Sequence, residues 1–96
     1  VIITFRTHAE RFESDYERNK FFRGLYGWKQ IVPKNDKRYL YYRSGLLDDI
    51  DHEKLADSVL MVAVKDMERV MRYFEEWHDK VECETMEVFI RKRRSL

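Results

Sequence analysis

The sequence predicts an α+β two-layer sandwich: a mostly antiparallel sheet with two helices on one face, in the order βαβββαβ. The nearest named motif to that order is a ferredoxin-like split βαβ with an added hairpin. Three observations point to it. Short runs of β-branched and aromatic residues occur near both ends and through the middle of the chain. Two other stretches carry apolar residues at the helical spacing i, i+3, i+4. Between those two stretches lie three strand-like runs, which keep the helices apart in sequence.

Residues 1–6 (V-I-I-T-F-R) are β-branched and apolar, as an inner strand requires. Ser14-Asp15-Tyr16-Glu17 reads as a capping box, in which the serine oxygen accepts from the backbone N–H three residues on. Phe21, Phe22 and Leu25 follow at helical spacing, so a helix is expected over residues 14–24. Thr7-His8-Ala9-Glu10 is a rival capping box seven residues earlier, and Gly24 and Gly27 offer left-handed positions to end the helix. Residues 28–32 and 37–43 are rich in aromatic and β-branched side chains, and the turn formers of residues 33–36 divide them, which predicts a hairpin.

Residues 51–57 read as one short helical turn capped by Asp48 or Asp51. Residues 58–64 are apolar on both faces, as in a strand from the middle of a covered sheet. Met67, Val70, Met71, Phe74, Trp77, His78 and Val81 form one apolar stripe, predicting a helix over residues 66–81. A final strand over residues 84–91 alternates Met86, Val88 and Ile90 inward with Thr85, Glu87, Phe89 and Arg91 outward. Residues 1–90 are expected to form a single α+β domain and residues 91–96 a basic, frayed C-terminal tail.

Composition narrows the function classes. Charged residues make up 39% of the chain, against roughly 25% in an average soluble domain, so the surface is densely charged. Asparagine and glutamine are scarce beside abundant Lys, Arg and Glu, a pattern reported for hyperthermophile proteins. The one cysteine, Cys83, excludes an internal disulfide and fits a reducing compartment; its neighbours Glu82 and Glu84 are expected to raise its thiol pKa and leave it inert. The longest apolar run, residues 59–64, is too short to span a bilayer, and no basic-then-apolar leader is visible, so a cytoplasmic protein without membrane association is expected.

The net charge of +1 hides a segregation. Residues 1–45 hold ten Lys or Arg against five Asp or Glu, a balance of +5; residues 46–90 hold five against thirteen, −8; residues 91–96 hold four against none. A basic half next to an acidic half suits a phosphate backbone, or a second copy meeting basic face to acidic face. Within one fold the two halves also simply neutralise each other, the plainer alternative.

The most informative stretch is W-K-Q-I-V-P-K-N-D-K-R-Y-L-Y-Y-R, residues 28–43. Strand alternation puts Lys37, Tyr39, Tyr41 and Arg43 on one face and Arg38, Leu40 and Tyr42 on the other. Tyrosines among cations stack bases while the cations meet phosphates, so Tyr39, Tyr41 and Trp28 are the candidate stacking residues. Lys29, Lys34, Lys37, Arg38 and Arg43 are the candidate phosphate contacts, for RNA or single-stranded DNA. The competing account packs Tyr39 and Tyr41 under the helices, with only their hydroxyls at the rim.

No catalytic motif accompanies this surface. His8, His52 and His78 are scattered with no nucleophile at a telling distance, His78 reads as a half-buried imidazole on the apolar stripe, and no glycine loop forms a seat for a nucleotide cofactor. Asp48, Asp49 and Asp51, with His52 and Glu53, form the densest set of hard-cation ligands, but their spacing matches no metal loop. Acidic residues around a short helix serve more often as caps. The Met67, Met71, Phe74, Trp77 stripe suits either core packing or a partner helix, and packing is the simpler account. The expectation is a non-enzymatic binding domain without cofactor. A homodimeric scaffold, whose hairpin completes a neighbour's sheet, is the alternative, and a metal-dependent nuclease is the third.

Overall fold

A computed structural model describes residues 1–88 of the chain, and the elements follow in the order β1 (Ile2–Thr7), α1 (Asp15–Tyr26), β2 (Trp28–Lys34), β3 (Lys37–Arg43), β4 (His52–Ala56), β5 (Val59–Val62), α2 (Met67–Glu76) and β6 (Val81–Met86). The architecture is α+β, with two helices and antiparallel sheets. β1, β4, β5 and β6 make a four-stranded sheet in the order β4-β5-β1-β6, each neighbouring pair antiparallel. β2 and β3 pair only with each other, as a separate two-stranded ribbon.

Every second residue of the sheet faces the helices. Ile3 and Phe5 of β1, Leu60 and Val62 of β5 and Val81 of β6 are buried there with Phe21 and Leu25 of α1 and Val70 and Phe74 of α2. The Phe5 ring lies 5.2 Å from Phe74 and 6.1 Å from Phe21, centroid to centroid, so both helices rest on the same side of β1. Trp77 stacks edge-on against Phe21 at 5.5 Å, so the methionine and aromatic stripe is core packing.

The start of α1 is where the serine cap places it. Glu17 N–H donates to Ser14 Oγ at 3.2 Å. The returning arm of the box differs: the Glu17 carboxylate accepts from Glu13 N–H at 3.1 Å and meets Lys80 Nζ at 2.6 Å, which ties the helix start to the turn before β6. Those bonds, that to Lys80 first, hold the Glu17 carboxyl below its usual range and raise the Lys80 ammonium above its own. The rival box at Thr7 produces only a 3-10 turn, Ala9–Arg11. α1 runs past Gly24, which is helical, and ends at Gly27, whose φ is +82°. Gly24 has a steric reason for being glycine: a Cβ there would collide with the Tyr73 hydroxyl.

Three segments depart from the pattern read in the sequence. Residues 52–56 are an edge strand paired with β5, not a helical turn; the turn forms earlier, at Leu46–Asp49. Pairing to an apolar neighbour outweighs the weak β preference of His-Glu-Lys-Leu-Ala. The α2 helix stops at Glu76, because Trp77 and Lys80 close hydrogen-bonded turns that release the chain into β6. His78, exposed in that turn, sets its Nδ1 3.0 Å from the Glu75 carbonyl and is not half-buried.

β6 has the opposite phase from the one expected. Because Val81 lies opposite Thr7 and Cys83 opposite Phe5, the odd residues face the helices and Met86 faces out. Val88 is exposed and follows the strand, while Ile90 and the basic tail lie outside the described residues. Burial, ahead of the Glu75 carboxylate, raises the Cys83 thiol pKa; Glu82 and Glu84, facing the other way, are not its cause.

Tyr73 makes a testable link between burial and pH. Its hydroxyl donates to the Phe21 carbonyl at 2.6 Å, and burial pushes the phenol up to about 12. An unfolded chain releases that proton near pH 10, so between pH 10 and 12 the unfolded state binds fewer protons. Stability contributed by Tyr73 is therefore complete below pH 10 and is lost as pH rises through that window. Thermal melts of the protein and of Tyr73→Phe at pH 9, 10 and 11 should converge as pH rises; a constant gap would contradict this burial.

Candidate nucleic-acid interface

The ribbon is shaped by its turn and anchored at its root. Asn35 and Asp36 take φ values of 52° and 62°, the pair of positive angles of a type I′ turn, whose twist matches that of the strands it joins. Pro33 and Lys34, expected in the turn, belong to β2 and face Arg38 and Lys37. At the root the Tyr42 hydroxyl donates to the Asp48 carboxylate, 2.9 Å from Oδ2, with the Tyr26 carbonyl at 3.2 Å. Gly45 N–H donates to the same carboxylate at 2.7 Å. The bond to Asp48, ahead of desolvation, raises the Tyr42 phenol above its usual range.

Cross-strand register sorts the side chains into rows. Trp28 faces Arg43, Gln30 faces Tyr41, Val32 faces Tyr39 and Lys34 faces Lys37, all on one side of the ribbon. Lys29–Tyr42, Ile31–Leu40 and Pro33–Arg38 occupy the other side. Six of the predicted residues thus share a face, Trp28, Lys34, Lys37, Tyr39, Tyr41 and Arg43, and the remaining two, Lys29 and Arg38, lie behind it.

Tyr39 and Tyr41 are 42% and 46% exposed, so the α layer does not cover them. Arg43 Nε donates to Gln30 Oε1 at 2.8 Å, which sets its guanidinium 5.6 Å from the Tyr41 ring centre. Along the strand Tyr39 and Tyr41 are about 7 Å apart. That is twice the per-strand base rise of about 3.4 Å in a duplex, so the spacing suits bases of an extended single strand and not a stacked duplex.

Helix α1 extends the surface with residues that were not singled out from the sequence. The Arg23 guanidinium sits 4.3 Å from the Trp28 ring centre, a cation–π stack at the root of the ribbon. Beside it is a cavity of about 280 Å³ lined by Tyr16, Lys20, Arg23, Gly24, Trp28 and Ser44, with no carboxylate among the described residues that line it. Tyr16, Lys20 and Arg23 recur at i, i+4 and i+7, on the side of α1 away from Phe21 and Leu25. That spacing was the available signal.

Of the acidic cluster, Asp48 and Asp49 are engaged. Asp48 holds Tyr42 and Gly45, and Asp49 Oδ2 lies 3.4 Å from Arg69 Nη2. Asp51 is exposed, and no three His, Cys, Asp or Glu among the described residues converge on a point that would hold a metal ion. His8 Nε2 lies 3.0 Å from Glu82 Oε1 and His52 Nδ1 is 2.8 Å from the Ile50 carbonyl. No helix of the described residues is long and apolar enough to cross a membrane. Set beside known proteins, the chain matches no family model, no curated protein and no solved structure.

Proposed function

We propose that this protein is a small, non-enzymatic binding domain that holds RNA or single-stranded DNA on the outer face of its ribbon. Tyr39, Tyr41 and Trp28 stack successive bases, and Lys34, Lys37 and Arg43, joined by Lys20 and Arg23, meet the phosphates. The observation behind this reading is the pair of exposed tyrosines set one row apart among cations, with the Trp28 cavity continuing the same face. With the ribbon set aside, the strand order β4-β5-β1-β6 supports a ferredoxin-like arrangement, a framework that by itself selects no function. A single cysteine and scarce amides support a reducing, thermophilic cytoplasm as its setting.

Equilibrium binding of labelled mixed-sequence RNA and DNA single strands over a range of salt concentrations tests it. Three to five phosphate contacts predict a log–log salt slope of about −2 to −3.5. Tyr39→Ala and Tyr41→Ala should each weaken binding by about 1–3 kcal/mol without changing that slope, because stacking releases no counterions. Lys37→Ala should make the slope shallower by about 0.7. Absence of binding at low salt, or tyrosine variants that bind as the parent does, would end this reading.

A further inference from the structure

The back of the ribbon is exposed and the outer face of the four-stranded sheet is only half-buried among the described residues, and the two match. Ile31 and Leu40 lie opposite each other on the back of the ribbon and are 61% and 63% exposed. Such a pair on an isolated hairpin has little to hold it in water, since two strands alone are marginally stable. On the sheet, the row Glu53–Met61–Ile2–Met86 and the next, Ala56–Val59–Thr4–Glu84, face away from the helices. β5 is apolar on both faces, the pattern of a strand covered on both sides, yet the described residues cover only one of them. At the end of this face is a cavity of about 440 Å³ whose lining includes Val1, Met61, Val64 and Val88, with Asp51 and Glu53 also among its walls.

Charge decides the occupant. The back of the ribbon carries Lys29 and Arg38 and no carboxylate. The outer face of the sheet presents Glu53, Glu82 and Glu84 against Arg6. An apolar pair flanked by Lys29 and Arg38 is the complement of an apolar strip flanked by glutamates. We infer that this face is an interface with a second copy of the chain: the back of each ribbon lies across the outer sheet face of its partner, Ile31 and Leu40 on Ile2, Met61 and Met86. The exchange is reciprocal, so one two-fold axis closes it and the contact is made twice. It covers the sheet face and leaves the edges of β4 and β6 as they are. The outer face of each ribbon stays open.

Sedimentation equilibrium on the full chain, with two charge-placing variants, tests the exchange. The parent protein should be a dimer that loosens as salt rises. Leu40→Glu puts a negative charge on the ribbon, against the acidic sheet face, and should weaken dimerisation at least about tenfold with an unchanged circular dichroism spectrum. Met86→Lys puts a positive charge on the sheet face and should do the same. Mixed in equal amounts, the two variants should form a heterodimer, because one contact is then native and the other sets the introduced carboxylate of one variant against the introduced ammonium of the other. A monomeric parent at every concentration, a Leu40→Glu variant that still dimerises, or variants that fail to rescue each other would overturn the exchange.

Discussion

Truncating Phe21 to alanine is expected to destabilise the protein by about 3–5 kcal/mol, the usual cost of deleting a fully enclosed phenyl ring. Phe21 has no solvent exposure. Its ring centre lies 5.1 Å from Phe22, 5.5 Å from Trp77, 5.7 Å from Tyr73, 6.0 Å from Phe74 and 6.1 Å from Phe5. Those neighbours come from both helices and the central strand, so no single element can move inward to fill the space. A domain of this size has about 5–15 kcal/mol in all, and the melting temperature should fall by on the order of 20 °C. The same truncation at Tyr16, which is exposed, should change stability by about 0.5 kcal/mol or less. Urea unfolding of both variants measures the contrast. A Phe21→Ala variant within about 1 kcal/mol of the parent would mean that the two helices do not share one core with β1.

That core was legible where local chemistry and tertiary packing agree. Ser14 caps α1, and Phe21 and Leu25 bury themselves on the spacing that predicted a helix. Val70 and Phe74 do the same in α2. It was illegible where long-range pairing decides. The phase of β6 depends on Val81 meeting Thr7 across the sheet, a contact between residues 74 positions apart, and residues 84–90 taken alone favour the other phase. His52–Ala56 has no β-rich composition, and only the presence of β5 beside it makes it a strand. Gly24 has the residue type of a helix end but sits inside the helix, because what excludes a side chain there is Tyr73, from the other helix.

The candidate surface divides the same way. Strand period placed Tyr39, Tyr41, Lys37 and Arg43 together, since the period of two is geometric and needs no partner. The root was not readable. Trp28 meets Arg23 only because α1 ends at Gly27 and the chain reverses at once into β2, and Asp48 becomes an anchor for Tyr42 only because residues 44–49 return to that point. An acidic cluster that resembled a metal site in one dimension is, in space, distributed between a tyrosine, an arginine and solvent.

The root makes a second large effect predictable. Gly27 has φ +82° and ψ 175°, a region open essentially to glycine alone, and a Cβ there would lie 2.6 Å from the Tyr42 hydroxyl and 2.7 Å from the Arg43 carbonyl. Backbone strain of about 1–3 kcal/mol and overpacking of about 1–3 kcal/mol both act against Gly27→Ala, which should cost on the order of 3 kcal/mol. Gly45 packs on the same point from the returning chain: a Cβ on it would lie 2.7 Å from the Leu25 carbonyl oxygen and collide with the Gly27 amide, all backbone that cannot rotate away. Gly45→Ala should therefore cost about 1–3 kcal/mol despite an ordinary φ. Neither change removes a side chain of the candidate interface. Relief of either collision is expected to tilt the ribbon away from α1 and to part Trp28 from Arg23, so under the proposed function single-strand affinity should fall along with stability. Tyr42→Phe loosens the root without a collision and should show the same loss of affinity at a smaller stability cost. If Gly27→Ala unfolds at the parent's urea midpoint, the helix does not end at residue 26 in the way described, and the ribbon has a different root.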